Sequence, residues 1–145
     1  MLTVYSPVRG VVRSRSQQGD PAGGSATVAA VLEFGGGEPV QIDTPMRGDV
    51  QLVSAHQVSI TDSRDRHVTI HLLADDGEAE ALVADGATVG FNTPLLRWTG
   101  PAGATATCVL TTTAMAADVV DLTTPDQQVT TDSDLFNLGP FGCGG

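Results

Sequence analysis

The sequence predicts an all-β fold, a small β-sandwich or barrel carried by one domain, and three observations lead there. Short β-prone runs recur between breaks made of Gly, Pro, Asn and Asp, the spacing of antiparallel strands joined by turns. Gly (17) and Pro (8) are too frequent for a helical bundle. A chain of 145 residues has the length of one core. Aromatic residues are only 4% of it, so that core must be built from Val, Leu, Ile and Ala.

In chain order the expected strands are 2–5 (LTVY), 11–15 (VVRSR), 27–34 (TVAAVLEF), 39–43 (PVQID), 49–54 (DVQLVS) and 57–62 (QVSITD). They continue as 67–73 (HVTIHLL), 93–99 (TPLLRWT), 107–112 (TCVLTT), 119–124 (VVDLTT) and 128–132 (QVTTD). Residues 16–25 (SQQGDPAGGS) read as a flexible loop. Only residues 114–121 have helical character, a turn or two capped by Thr113. The domain is expected to span residues 1–138, with 139–145 (GPFGCGG) as a flexible tail.

An internal repeat suggests how the halves relate. Ser6-Pro7-Val8-Arg9-Gly10-Val11-Val12 recurs as Thr44-Pro45-Met46-Arg47-Gly48-Asp49-Val50. The pattern [ST]-P-x-R-G-x-V describes a strand end, a tight turn with Gly at positive φ, and a new strand. Two copies imply a pseudo-symmetric pair of hairpins. A third turn, Val83 to Gly90, precedes the apolar run Thr93 to Trp98 and is similar to the V-x-x-G-x-x-V-x-x-G-x-x-L hairpin of hammerhead and hybrid-motif domains.

Charge and composition exclude several functions. Acidic residues outnumber basic ones 17 to 7, the wrong balance for a nucleic-acid module. Every basic residue is Arg, and without Lys there is no lipoyl or biotinyl acceptor, no Schiff-base amine and no Walker lysine. No apolar run approaches the ~20 residues of a membrane span, and the first residues lack a signal-peptide pattern, so direct membrane insertion is not expected and the cytoplasm is the default location. Cys108 falls in an apolar strand and Cys143 in the tail, without CxxC spacing, which reads as core and tail residues rather than a redox pair.

Chemistry is confined to three histidines, the groups that titrate near neutrality. If 57–62 and 67–73 form a hairpin around Asp62-Ser63-Arg64-Asp65, His56 and His71 come side by side. Alternation then puts Val68 and Ile70 on one face and His67, Thr69 and His71 on the other. His67 reads as a solvated surface residue. Such a pair suits a metal site completed by another carboxylate, a phosphoryl acceptor with its supporting imidazole, or an ordinary polar β surface. A zinc hydrolase fits poorly, because His67 and His71 lie ~13 Å apart along a strand.

The sequence resembles the enzyme IIA domain of the glucose-type phosphotransferase system, as a divergent member. The resemblance rests on Tyr5 to Gly10, Thr44 to Gly48, Ser54 to Ile60, Val68 to His71, Val83 to Leu96 and, more faintly, Cys108 to Thr111. The spacing of His56 and His71 matches the family without a gap. The resemblance implies a small β-sandwich acting as a phosphotransferase component in sugar transport. His71 would accept phosphate from HPr as phosphohistidine and pass it to a IIB cysteine, with His56 supporting it. Ser54 falls where the family has a Thr, and Asp75 on an acidic position after the acceptor. No cofactor is required, although His56 and His71 could take up Zn²⁺ with a partner's carboxylate. The family's Gly after the acceptor is absent from His71-Leu72-Leu73-Ala74-Asp75, and its apolar D-P-V-F-A docking segment is reduced to Asp20-Pro21-Ala22-Gly23-Gly24. These departures fall on the docking surface, and they make a non-catalytic IIA-like binding protein that regulates a transporter or enzyme the alternative reading.

Overall fold

A computed structural model describes residues 2–139, apart from the side chain of Gln17. The tail beyond 139, with Cys143, lies outside the described residues. The fold is all-β as expected: β1 (Leu2–Tyr5), β2 (Gly10–Arg13), β3 (Thr27–Gly35), β4 (Val40–Asp43), β5 (Gly48–Ser54), β6 (Gln57–Thr61) and β7 (His67–Ala74) form its first half. The second half comprises β8 (Glu78–Ala81), β9 (Thr88–Val89), β10 (Pro94–Thr99), β11 (Thr105–Thr112), β12 (Val119–Asp121), β13 (Gln128–Val129) and β14 (Asp134–Leu138). They make an eight-stranded sheet in the order β13-β2-β3-β11-β7-β6-β5-β9 and two three-stranded sheets, β1-β14-β12 and β4-β10-β8. Among the described residues no helix is long and apolar enough to cross a membrane.

Alternation in the central strands builds the core. Leu32, Leu110, Cys108, Val68, Ile70, Leu72, Val58 and Ile60 point inward from the large sheet, meeting Ile42, Leu96, Trp98 and Phe136 from the smaller ones. Burying such aliphatic side chains contributes roughly 1.5–3 kcal/mol each, which drives the sheets together. Trp98 packs edge-on against Phe34, centroids 5.6 Å apart, and its indole N–H donates to the Asp76 carbonyl at 3.0 Å.

The two repeats interlock. The Tyr5 N–H donates to the Pro45 carbonyl (3.0 Å) and, reciprocally, the Asp43 N–H donates to the Pro7 carbonyl (2.7 Å). In each copy the hydroxyl closes the turn, Ser6 donating to the Val8 carbonyl at 2.7 Å and Thr44 to the Met46 carbonyl at 2.5 Å. The repeat glycines are selected by close approach rather than by a left-handed turn conformation. A Cβ on Gly10 would meet the Glu33 carbonyl oxygen at 2.5 Å, and one on Gly48 would collide with the Thr61 carbonyl and Ile60.

Other expectations shift. The helical turn expected over 114–121 is a 3-10 turn at Ala116–Asp118 followed directly by β12, with Met115 rather than Thr113 before it and no side-chain cap. β12 is extended because it pairs with β14. Strand β8 has the helix-favouring sequence Glu-Ala-Glu-Ala and is a strand because β10 offers it a partner edge.

Candidate functional site

The hairpin of β6 and β7 forms around Asp62, whose Oδ1 accepts the N–H groups of Arg64 and Arg66 at 2.9 Å and whose Oδ2 pairs with the Arg66 guanidinium at 2.6 Å. Its register places Gln57 opposite His71, Ser59 opposite Thr69 and Thr61 opposite His67. Val68 and Ile70 face the core, so His67, Thr69 and His71 share the outer face. That face is laced by hydroxyls: Ser59 with Thr69 (2.7 Å), Thr61 with His67 Nδ1 (2.7 Å), and Thr111 of the neighbouring β11 with His71 Nε2 (3.0 Å).

His71 is not a surface residue, being only 4% exposed. Its sheet neighbours on the same face, Val109, Val31 and Thr111, are buried too, although Val31 and Val109 are not part of the central core. Chain must therefore cover this face from outside, and the segment between β2 and β3 brings Asp20 to it. The Asp20 carboxylate accepts N–H bonds from Ala22 (2.9 Å) and Ala26 (3.1 Å), so a stretch that reads as a plain loop is folded around one side chain. Backbone bonds, that from Ala22 foremost, hold the Asp20 carboxyl below its ordinary range. Burial pushes the His71 imidazole below its usual value, and the Asp20 charge offsets part of that shift. The ring is thus neutral at pH 7, with a hydroxyl on one nitrogen.

No family profile and no curated protein matches the sequence. The structure does find a neighbour of similar fold: it superposes on the glucose permease IIA from Mycoplasma capricolum with a TM-score of 0.65, over 93% of this chain and 94% of that one, at 12% identity. This chain has the IIA fold.

Within the IIA fold the remaining candidate residues are placed unequally. His56 sits in the turn between β5 and β6, exposed, with its carbonyl accepting the Leu72 N–H at 2.8 Å. It therefore lies one residue past Gln57, beside Leu72, rather than directly across from His71. Ser54 acts on His56 through the backbone, its Oγ accepting the His56 N–H at 3.0 Å. Asp75 is exposed in the bend after β7, about 13 Å along the chain from His71 at strand rise. The carboxylate whose charge acts on His71 is Asp20. Its sequence signals are the Asp-Pro step that remains of the docking segment and the Gly-rich stretch it opens, a pattern that favours turns built on an Asx side chain. Among the described residues no three His, Cys, Asp or Glu groups cluster as metal ligands. Zn²⁺ held by both imidazoles would use the His71 nitrogen that Thr111 does not hold, and would need a further ligand from a second protein. Cys108 is fully buried, with its thiol pushed up to about 12 by desolvation, and is inert.

Proposed function

We propose that this chain is a phosphocarrier of a sugar phosphotransferase system, accepting phosphate from HPr on His71 and passing it to a IIB cysteine. One observation carries the reading: in a IIA fold, a neutral imidazole is held by a threonine hydroxyl on the buried part of a sheet face, beside Val31 and Val109. Phosphoryl transfer needs a placed nucleophile and charge stabilisation rather than elaborate covalent machinery. With the Nε2–H donating to the Thr111 hydroxyl, Nδ1 keeps the lone pair that attacks phosphorus. The P–N bond to His71 forms as the P–N bond of the donor phosphohistidine breaks. His56, at the adjacent turn, donates a hydrogen bond to the phosphoryl oxygens. The partner reaches the ring by displacing the segment around Asp20.

Incubation with phosphoenolpyruvate, enzyme I and HPr should add one acid-labile, base-stable phosphate. His71→Ala should abolish the label, whereas His56→Gln should accept phosphate and pass it on poorly, since Gln donates a similar hydrogen bond in a different charge state. Undiminished labelling of His71→Ala overturns the assignment, and an unlabelled wild-type chain with a cognate HPr overturns the carrier function.

A further inference from the structure

The internal duplication produces two equivalent grooves, and the described residues fill only one of them. The first lies between β1 and β9, lined by Tyr5, Arg47, Gly48, Thr88 and Phe91. There the Phe91 ring meets Tyr5 edge-on at 5.7 Å, and the Arg47 guanidinium lies 4.5 Å from its centroid. The second lies between β4 and β13, with Asp43, Arg9, Gly10, Gln128 and Thr131 at the corresponding positions. Asp43 stands where the first groove has Tyr5, and Thr131 where it has Phe91. With the aromatic plug missing, this groove has a volume of about 1020 Å³ against about 580 Å³ for its twin.

Both walls of the open groove are free sheet edges, since β4 and β13 each end their sheet. The direction of their backbone groups follows from neighbouring bonds. The Leu95 carbonyl accepts the Leu82 N–H, so Leu95 and Arg97 point toward β8 and only Leu96 and Trp98 bond β4, through Ile42 and Val40. Gln41 must then aim its N–H and carbonyl away from β10. The Asp43 N–H bond to Pro7 on that same side agrees. Likewise, Val12 bonds Asp126 and Gln127, so Gly10 bonds Val129, and Gln128 aims its backbone away from β2. Neither Gln41 nor Gln128 has a backbone partner on that side among the described residues. The lining also includes Phe34, Val11 and Val40, apolar contacts for one face of an extended chain.

The charges select the occupant. Glu33 is paired with Arg13 at 3.2 Å, whereas Glu38 and Asp43 have no basic partner among the described residues. Asp43 is nine-tenths buried and gives one oxygen to the Gln41 side-chain amide at 2.8 Å. Arg9 alone opposes the two acids, so the groove is acidic within a chain of formal charge −10.

We propose that the groove between β4 and β13 binds an extended segment of a partner protein as an added β-strand, alternating apolar and basic residues, with a basic side chain against Asp43. Main-chain bonds to Gln41 and Gln128 supply affinity, and Asp43 and Glu38 supply the preference for positive charge. Four strand spacings in the sheet order separate β13 from β7, about 19 Å, so this surface is separate from His71 and does not depend on its role.

The test is amide hydrogen exchange on the intact chain, followed by NMR, with the capped peptide Lys-Val-Lys-Val-Lys-Val as probe and Glu-Val-Glu-Val-Glu-Val as control. At a free peptide concentration ten times Kd, the Gln41 and Gln128 amides should exchange about 11-fold more slowly, because only the unbound form is open. The acidic peptide should give no protection. Gln128→Pro, which removes an edge N–H at a position where Pro is tolerated, should weaken binding at least ~10-fold. Asp43→Asn should reduce the preference for the basic peptide, and Asp43→Asn with Glu38→Gln should erase it, while keeping the fold. No protection of Gln41 and Gln128 at ~1 mM basic peptide, equal protection by both peptides, or protection confined to β7 would each overturn the proposal.

Discussion

Replacing Thr111 by Val tests the hydroxyl on which the candidate nucleophile depends. The two side chains have nearly the same shape, so the substitution opens no cavity and keeps the β-branched fit of β11. It removes one hydrogen bond, 3.0 Å from Thr111 Oγ1 to His71 Nε2, in a site where both residues are buried. The imidazole nitrogen is then left dry and unpartnered, which costs about 2 kcal/mol within a range of ~1–3. For a domain of this size that loss should lower Tm by roughly 6–8 °C. The functional half of the prediction is separate: without its hydroxyl partner, Nε2 should lose its hydrogen-bonded state, read from the ¹⁵N shifts of Nδ1 and Nε2. Thr111→Ser, which retains the hydroxyl, should restore these shifts while recovering only part of the stability. A Thr111→Val protein with wild-type Tm and wild-type imidazole shifts would refute the claim that this bond positions His71.

The buried neutral His71 makes stability depend on acid. Above pH 6.5 the folded and unfolded rings are both neutral; below it the unfolded ring takes a proton that the folded one resists, so stability falls as pH drops until the folded ring also titrates. Denaturant melts between pH 5 and 7.5 should show this slope, and His71→Gln should flatten it. Asp20→Asn leaves an oxygen for only one of the Ala22 and Ala26 N–H groups, which bond different carboxylate oxygens, and removes the charge that supports the imidazolium, so the NMR-measured His71 pKa should fall further; a rise would mean that Asp20 does not act on the ring through its charge. Gly10→Ala should cost about 1–3 kcal/mol in chemical denaturation, because its methyl group meets a backbone oxygen at 2.5 Å rather than a yielding side chain.

The eleven-run strand reading succeeded where alternation and turn residues coincided. β3, β6, β7 and β11 are read nearly to their ends because each carries an inward aliphatic series bounded by breaks. It failed at β8, β9 and β14, which are short or carry helix-favouring residues and exist only because a partner edge receives them. The second half of the duplication was hidden for a similar reason. Val89 to Leu95 and Val129 to Leu135 occupy equivalent places, with Val89 paired to Gly48 and Val129 to Gly10, yet the plug residue differs, Phe91 in one copy and Thr131 in the other. Nothing local marks that exchange as the opening of a groove.

By itself the sequence determined the sheet-forming periodicity, the duplicated turns, the exclusion of lysine chemistry, and the strand and face that carry His71. Those are properties of one chain segment at a time, set by side-chain alternation and by the conformational demands of Gly and Pro. Tertiary structure decided what surrounds His71: Thr111 comes from a strand adjacent in space but distant in sequence, the charge of Asp20 acts on it from the loop between β2 and β3, and His56 falls one residue out of line because the β5–β6 turn ends the ladder at Gln57. Burial then sets the ring's charge, because desolvation depends on everything packed around a group and on no residue spacing along the chain.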